Sequence, residues 1–175
     1  HQYKEESILS SGKFVKIRVP HSGVYKLTYE ELASWGLNPA QIRIFGYGGA
    51  ILNENFNSSR IDDLPEVPFY IHMGGDNTFG KGDYILFHAQ GPVSWSYLPN
   101  KYSYTHSINT YSTHGYYFIT SDSGLGKNLN TTSSAIIDTE SCFPISSFDD
   151  YQLHEQELFS ALDPTGSNGG GQAFF

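Results

Sequence analysis

The sequence predicts an all-β domain, an antiparallel β-sandwich or barrel-like fold with one short helix. Short segments that alternate apolar and polar residues are separated by turn-forming residues, which is the pattern of half-buried antiparallel strands. Tyrosine and phenylalanine are abundant, with 13 and 12 copies among 175 residues, and aromatic side chains favour pleated sheet surfaces. A chain of this length is long enough for one domain with its own core.

The net charge of the chain excludes some classes of partner. The chain carries 10 Lys and Arg against 18 Asp and Glu, so its formal charge is -8. Phosphate backbones and anionic membrane surfaces repel such a chain, and we expect no nucleic-acid partner. No apolar run approaches the roughly 18 residues of a membrane span, so no direct membrane span is expected. Residues 1–11 lack the layout of an export signal, so the chain is either cytosolic or already processed.

A β-hairpin is predicted at the start of the domain. Residues 14–19 alternate apolar with basic side chains, and residues 24–27 resume the extended pattern after the turn-forming residues 20–23. Two such segments joined by a short turn favour antiparallel pairing with each other.

One short helix is predicted directly after this hairpin. Thr28, followed three residues later by Glu31, matches a capping box, in which each residue accepts a hydrogen bond from the backbone of the other. Gly36 has the position of a left-handed helix end. The predicted helix runs from Tyr29 to Trp35.

Five further segments have the composition of strands. Pro68 lacks a backbone donor, so the segment that contains it is predicted to be an edge strand. The segment at 83–89 is nearly continuous in apolar and aromatic residues, so we expect a central strand covered on both faces. Three glycines within 46–49 favour a turn over a phosphate loop. The segment at 151–159 is ambiguous between strand and helix. The five predicted strands are 41–45, 67–72, 83–89, 115–120 and 134–139.

Composition divides the chain into three parts. Residues 1–12 form an N-terminal arm, and residues 13–160 form the β-sandwich domain. Residues 161–175 are rich in Gly, Ser and Asn, which is typical of a tail or flexible linker, here leading toward a downstream domain that this chain lacks.

Catalytic candidates are few. Cys142 is the one thiol, and its apolar context has no glycine turn to present a thiolate to a histidine, so a buried inert thiol is favoured over a nucleophile. Asp83, Asp149 and Asp150 are nominal candidates for the acid pair of a glycosidase, but strand-boundary and turn roles explain them better. We therefore predict no catalytic residue and no cofactor.

An acidic loop supplies weak metal-binding candidates. Asp62, Asp63 and Glu66 lie close together in sequence, and three carboxylates can contribute to a hard-cation site. A solvated acidic loop, partly neutralised by Arg60, is the favoured interpretation. No metal is therefore expected.

An aromatic cluster supplies candidate ligand-binding residues. Trp95, Tyr97, Tyr102 and Tyr104 could form a stacking platform of the kind with which β-sandwich modules hold sugar rings. Aromatic residues at alternate positions also cover a sheet, and packing is the favoured of the two interpretations.

Five sequence blocks, taken in order, resemble the N-terminal, pre-peptidase region of the type IX secretion sortases of the PorU family, which are relatives of the gingipain cysteine peptidases. The resemblance extends over about residues 13–159, most of the chain, and five blocks in the right order are more specific than any one of them. The blocks are GVYKLTY at 23–29 with Leu32 and GLNP at 36–39, IFG at 44–46 with Gly48 and Gly49, DDLPE at 62–66, GDYILFHAQGP at 82–92, and YYFIT at 116–120.

The resemblance implies an all-β domain outside the cell, ahead of a caspase-like peptidase domain that carries the catalytic Cys and His. Such sortases cleave C-terminal sorting signals from secreted cargo and attach the cargo to surface lipopolysaccharide. Cys142 does not occupy the peptidase motif, so no catalytic residue is carried over. Residues 158–175 depart from the family, which has a Gly-Arg segment and an aromatic residue there.

Together these observations predict a non-catalytic domain that packs against and positions a downstream peptidase domain. The expected partners are that domain and other secretion-system proteins, and the expected location is the bacterial cell surface or outer membrane. The alternative is a surface carbohydrate-binding or adhesin module, with a glycan bound by Trp95 and the neighbouring tyrosines.

Overall fold

The described part of the chain contains nine strands, one α-helix and three short 3₁₀ helices. The computed structural model describes residues 4–53, 55, 57–58, 60–122, 124–133, 145–148, 150 and 152–153. The predicted strand at 134–139, Cys142 and the ambiguous segment at 151–159, apart from residues 152–153, lie outside the described residues. The elements, in chain order, are β1 (Val15–Val19), β2 (Gly23–Thr28), α1 (Tyr29–Ser34), β3 (Arg43–Gly48), β4 (Glu66–Val67), β5 (Phe69–His72), β6 (Tyr84–Ala89), β7 (Val93–Leu98), β8 (Ser103–Ile108) and β9 (Gly115–Thr120).

The strands form three antiparallel sheets. A four-stranded sheet has the order β1-β9-β3-β4, a three-stranded sheet has the order β2-β6-β5, and β7 pairs with β8. Within the described residues no sheet closes into a barrel. The all-β prediction is confirmed, in its sandwich form.

The core lies between the four-stranded and the three-stranded sheet, and both contribute inward side chains to it. Phe87 of β6 meets Tyr117 of β9 edge to face, with ring centroids 5.6 Å apart. Burial of apolar area of this kind supplies most of the driving force for folding. The buried core residues are Val19, Leu27, Leu32, Leu37, Ile42, Ile44, Phe69, Ile85, Phe87, Ala89, Tyr117 and Ile119.

The predicted N-terminal hairpin is wrong, because β1 and β2 belong to different sheets. Val19 at the end of β1 pairs with Gly115 of β9, whereas Gly23 at the start of β2 pairs with Ala89 of β6. The short connection carries the chain from one layer to the other. Each of the two strands buries one face in the same core, so apolar and polar residues alternate along it. Strands of a hairpin show the same alternation, so the pattern does not distinguish the two arrangements.

The predicted helix is confirmed. The Thr28 side chain accepts from the Glu31 backbone N–H at 3.2 Å, and the Glu31 carboxylate accepts from the Thr28 N–H at 2.8 Å. Leu32 is buried in the core. Gly36 has a φ of +72°, the left-handed conformation that ends helices and that glycine adopts without strain.

Pro68 separates two short edge strands, so the predicted edge position is confirmed, but the prediction of one strand over 67–72 is wrong. β4 lies at one edge of the four-stranded sheet and β5 at one edge of the three-stranded sheet, so the chain changes sheet at the proline. β6 is the centre of its sheet, as predicted. The prediction that it is covered on both faces is wrong for the described residues, since Phe87 is buried but its neighbour His88 is exposed.

Backbone segments from both sheets meet at one point, here called the glycine junction (Gly48–Gly49, Gln90–Gly91 and Gly115). The Gly49 N–H donates to the Gln90 carbonyl at 3.0 Å, and the Gln90 N–H donates to the Tyr117 hydroxyl at 2.7 Å. A Cβ on Gly115 would overlap the Gln90 carbonyl oxygen. Gly48 has a φ of +88° and still belongs to β3, so the expected turn is instead an irregularity within that strand.

The glycine junction also holds the base of the β7–β8 hairpin. Asn109, which follows β8, donates from its side-chain Nδ2 to the Gly49 carbonyl at 2.7 Å and from its backbone to the Pro92 carbonyl at 2.9 Å. The Gln90 side chain donates to the Val93 carbonyl at 2.9 Å. Because both ends of the hairpin are held, its orientation relative to the sandwich is defined.

Replacing Gly115 by alanine is expected to destabilise the domain by about 1 to 3 kcal/mol, because the added methyl group meets backbone atoms of Gln90 and Gly49 that cannot move aside separately. The matched control is Gly23→Ala, since Gly23 also begins a strand and no atom lies within 4 Å of the added Cβ. Urea unfolding followed by tryptophan fluorescence measures both variants. Equal midpoints would contradict the packing role of Gly115.

Candidate functional site

The β7–β8 hairpin has two faces of different chemistry. Its register pairs Val93 with Ile108, Trp95 with His106, and Tyr97 with Tyr104, and because side chains alternate along a strand these residues share one face. We call this the aromatic face. The opposite face carries Leu98 and five small hydroxyl side chains, from Ser94, Ser96, Ser103, Thr105 and Ser107.

Rings on the aromatic face contact each other across the two strands. The ring centroids of Trp95 and His106 lie 5.0 Å apart, and those of Tyr97 and Tyr104 lie 5.2 Å apart. Cross-strand aromatic pairs of this kind stabilise a two-stranded sheet. Tyr97 and Tyr104 remain 49% and 45% exposed, so the outer half of the face is accessible to a partner.

Three of the four predicted platform residues come together, and one does not. Trp95, Tyr97 and Tyr104 share the aromatic face, whereas Tyr102 lies in the turn between the strands, in a left-handed conformation and 88% exposed. His106 completes the face and was missed by the sequence analysis. Its alternate spacing with Tyr104 is the signal that places both on one side of β8.

An open cleft of about 460 Å³ lies at the base of the hairpin, beside the glycine junction. Asn109 forms part of its wall and is held in place, because its Oδ1 accepts from the Tyr111 backbone N–H at 2.9 Å. The sequence analysis missed this cleft because its lining comes from separate parts of the chain. The lining residues are Tyr47, Gly48, Ala50, Ile51, Leu52, Asn53, Arg60, Asn109 and Tyr111.

The carboxylates of Asp62 and Asp63 in the acidic loop accept hydrogen bonds from the protein itself. They are therefore poorly arranged to bind a cation. Asp63 accepts from the Ile8 N–H at 2.7 Å, the Ser7 hydroxyl at 2.9 Å and the Leu64 N–H at 2.8 Å, and Asp62 accepts from the Lys4 N–H at 2.8 Å. These contacts tie the N-terminal arm to the domain. In the described ranges no group of three or more His, Cys, Asp or Glu side chains could hold a metal ion.

Glu66, the third metal candidate, forms an ion pair instead. Its two carboxylate oxygens accept from Nε and Nη2 of Arg43 at 3.0 and 2.9 Å, a bidentate geometry. Hydrogen bonding to Arg43 lowers the pKa of Glu66, and the same contact raises the pKa of Arg43. The pair joins β3 to β4, so Glu66 has a structural partner and does not face Asp62 or Asp63.

The described carboxylates with a shifted pKa all have structural roles. The pKa of Asp83 is lowered by hydrogen bonds from the Gly74 and Gly80 N–H groups, at 3.0 and 2.8 Å, which hold the turn before β6. The pKa values of Asp63 and Glu66 are lowered as well. A general acid at neutral pH needs a raised pKa, so these three groups are suited to holding structure.

Comparison with known proteins identifies a similar solved structure, that of dimeric latent PorU from Porphyromonas gingivalis. The two chains are 40% identical with a TM-score of 0.58, and the match covers 73% of this chain and 11% of the PorU chain. No family model and no curated protein matches the sequence. The chain therefore has a PorU-like fold, and it spans about a tenth of the length of the PorU chain that it matches. Among the helices in the described ranges, none is long and apolar enough to cross a membrane.

Asp63→Asn is expected to release the N-terminal arm. Both oxygens of the Asp63 carboxylate accept hydrogen bonds, and the amide nitrogen of Asn would replace one acceptor with a donor. Hydrogen bonds to a charged acceptor are among the stronger ones, so protection of the Ile8 amide from hydrogen exchange should fall at least about tenfold. Asp76→Asn, which removes the same charge from a distant turn, is the control. Unchanged exchange at Ile8 would contradict this role.

The same contact is expected to depend on pH. Partial burial favours a higher pKa for Asp63, but hydrogen bonds from Ile8, Leu64 and Ser7 and the charge of Lys4 lower it below its ordinary value. A lowered pKa means that the stabilisation is present above the unfolded value of about 4 and is lost as the pH falls through the folded value. Release of the arm is therefore expected below about pH 4, and not between pH 5 and pH 8.

Proposed function

We propose that this chain is a non-catalytic, N-terminal domain of a gingipain-like sortase of type IX secretion. The observation that carries the proposal is the similarity to PorU, at 40% identity over 73% of this chain and only 11% of the PorU chain. A segment that corresponds to so small a share of a larger protein is suited to an accessory role beside other domains. The structural roles of Asp63, Glu66 and Asp83 support the non-catalytic part of the proposal.

The domain packs against and positions the peptidase domain downstream in the same polypeptide, and the aromatic face is the surface that makes this contact. Tyrosine and tryptophan are the residues most enriched where protein interfaces gain their binding energy. Tyr97 and Tyr104 leave about half of their surface accessible, next to each other on a two-stranded sheet. Removal of this apolar surface from water would stabilise a docked partner.

The glycine junction gives this docking a defined direction. Both ends of the hairpin are hydrogen-bonded to the junction, through Gln90 and Asn109, so the aromatic face is presented at one orientation to the sandwich. A surface that is ordered before binding loses less conformational entropy on association. Such a domain can hold a peptidase in a fixed position.

In this function the protein acts at the outer surface of the bacterial cell. The complete sortase would remove C-terminal sorting signals from secreted cargo and attach the cargo to surface lipopolysaccharide, together with other proteins of the secretion system. This chain would contribute domain placement, while the catalytic Cys and His would come from the peptidase domain.

The double variant Tyr97→Ser/Tyr104→Ser is expected to bind the separately produced peptidase domain at least about tenfold more weakly than the unmodified chain does, because it loses two exposed rings. Isothermal titration calorimetry measures the affinity. The matched control is Ser96→Ala/Thr105→Ala, a change of the neighbouring pair on the opposite face.

Two results would contradict the proposal. One is equal affinity for the peptidase domain in both double variants. The other is cleavage of peptide substrates by the isolated chain, lost on Cys142→Ala, which would make this chain an enzyme in its own right.

A surface carbohydrate-binding or adhesin module is the second candidate function. The specific observation in its favour is that Trp95, Tyr97 and Tyr104 do share one face of the hairpin, as stacking platforms for sugar rings require. His106, whose imidazole is a polar ring, lies on the same face, with its centroid 5.0 Å from that of Trp95.

For this second function, Trp95→Ala is expected to abolish glycan binding, since the largest ring of the platform is lost. A glycan array with the unmodified chain identifies a ligand, and titration of the variant measures the loss. Strong binding that depends on Trp95 would favour the carbohydrate-binding module over the packing domain. Absence of binding on the array would exclude the arrayed sugars and leave the packing domain as the function.

A further inference from the structure

Among the residues that the structure describes, the outer edge of β1 has no paired strand. β1 forms one end of the four-stranded sheet and pairs with β9 on its inner side. No strand in the described ranges pairs with the opposite side. The backbone donors and acceptors on an open edge of this kind form a template for an additional strand.

The outward face of β1 is cationic in a chain that is acidic as a whole. Lys16 and Arg18 are exposed and alternate with Val15, Ile17 and Val19, which contact or belong to the core. No ion pair to either cation occurs among the described residues. The net charge of the chain is -8, so this edge differs in sign from the protein around it.

Aromatic rings of β9 lie beside the two cations. The register pairs Lys16 with Phe118 and Arg18 with Tyr116, and the Lys16 Nζ lies 4.1 Å from the centre of the Tyr116 ring. A cation held over a ring keeps its charge at the surface while its methylene groups cover apolar area. β9 itself carries no acidic residue, and the one acidic residue of the sheet on this face, Glu66 of β4, is paired with Arg43.

The inward face of the same edge is apolar and incompletely covered. Ile17 points toward the core but is only half-buried, in contrast to Ile119 of the neighbouring strand, which is fully buried. A strand added outside β1 would place an apolar side chain beside Ile17 and acidic side chains beside Lys16 and Arg18, because cross-strand neighbours share a face.

We infer that the open edge of β1 is a docking site for an extended acidic segment of a polypeptide, in which acidic and apolar residues alternate. Charge complementarity with Lys16 and Arg18 selects the acidic residues, and main-chain pairing supplies affinity that does not depend on sequence. This site goes beyond the proposed docking of the peptidase domain through the aromatic face and lies on a different sheet.

The experiment uses the full 175-residue chain and three synthetic pentapeptides with blocked ends. The first is Val-Glu-Val-Glu-Val, the second has Lys in place of Glu, and the third is the Glu peptide with N-methylated backbone amides. The Glu peptide is expected to shift the backbone amide resonances of 15–19 and to bind at least about tenfold more tightly than the Lys peptide. The N-methylated peptide should bind at least about tenfold more weakly, because it cannot donate to the strand edge.

Charge reversal tests the two cations directly. Lys16→Glu/Arg18→Glu is expected to invert the preference, so that the Lys peptide binds more tightly than the Glu peptide. The matched control, Lys81→Glu/Lys101→Glu, changes the net charge by the same amount at two exposed lysines outside the strands, and it should keep the original preference. Equal loss of Glu-peptide binding in both double variants would overturn the inference, since only overall charge would then matter.

A protective role is the competing explanation, because charged residues on edge strands also prevent aggregation. If neither peptide binds the unmodified chain while Lys16→Glu/Arg18→Glu remains monomeric and Lys16→Val/Arg18→Val aggregates, the cations are protective and the docking site is refuted. Tyr97→Ser/Tyr104→Ser should bind the Glu peptide as the unmodified chain does. That result distinguishes failure at the edge of β1 from failure of the proposed docking through the aromatic face.

Discussion

The close approach of backbone segments at the glycine junction is the constraint on which the arrangement of this domain depends. Gln90 connects the two sheets, because its N–H donates to Tyr117 of the four-stranded sheet while its own strand, β6, has just ended in the three-stranded one. Burial raises the pKa of Tyr117, so its hydroxyl stays protonated and neutral at physiological pH. A side chain at Gly49 or Gly115 would separate these segments.

The candidate site is a consequence of that junction. Gln90 of the junction is hydrogen-bonded to Val93 at the start of β7, and Asn109, which follows β8, is hydrogen-bonded to Gly49 of the junction. The hairpin therefore extends from a fixed base. Its aromatic face therefore combines two properties that an interface needs, exposed rings and a defined orientation. Two carboxylates also stabilise the structure, since Asp63 holds the N-terminal arm and Glu66 joins two strands.

Much of the local structure could be predicted from the sequence. Thr28 and Glu31 predicted the helix because capping depends on groups only three residues apart. The edge position of the segment around Pro68 was predictable for the same reason, since a missing donor acts at its own position, but the division of that segment between two sheets was not predicted. The prediction that β1 and β2 form a hairpin was wrong. Alternation indicates only that one face of a strand is buried, and it does not identify the neighbouring strand. Three of the four predicted platform residues share one face, and the alternate spacing of His106 with Tyr104 also indicated that face. The contact of His106 with Trp95 needed the register of β7 with β8.

What the sequence by itself determined is the all-β class, the short helix with its cap and the approximate positions of the strands outside the β7–β8 hairpin, because each follows from period, turn residues or contacts between near neighbours. The blocks that resemble PorU-family sortases also belong to this set, and the comparison with PorU supports the fold that they imply. Only the tertiary structure decided strand partners, the use of Asp62 and Asp63 to hold the arm, and the position of β1 at a sheet edge, with its outer side unpaired within the described residues. These features join residues tens of positions apart, and their geometry exists only once the two sheets have packed together.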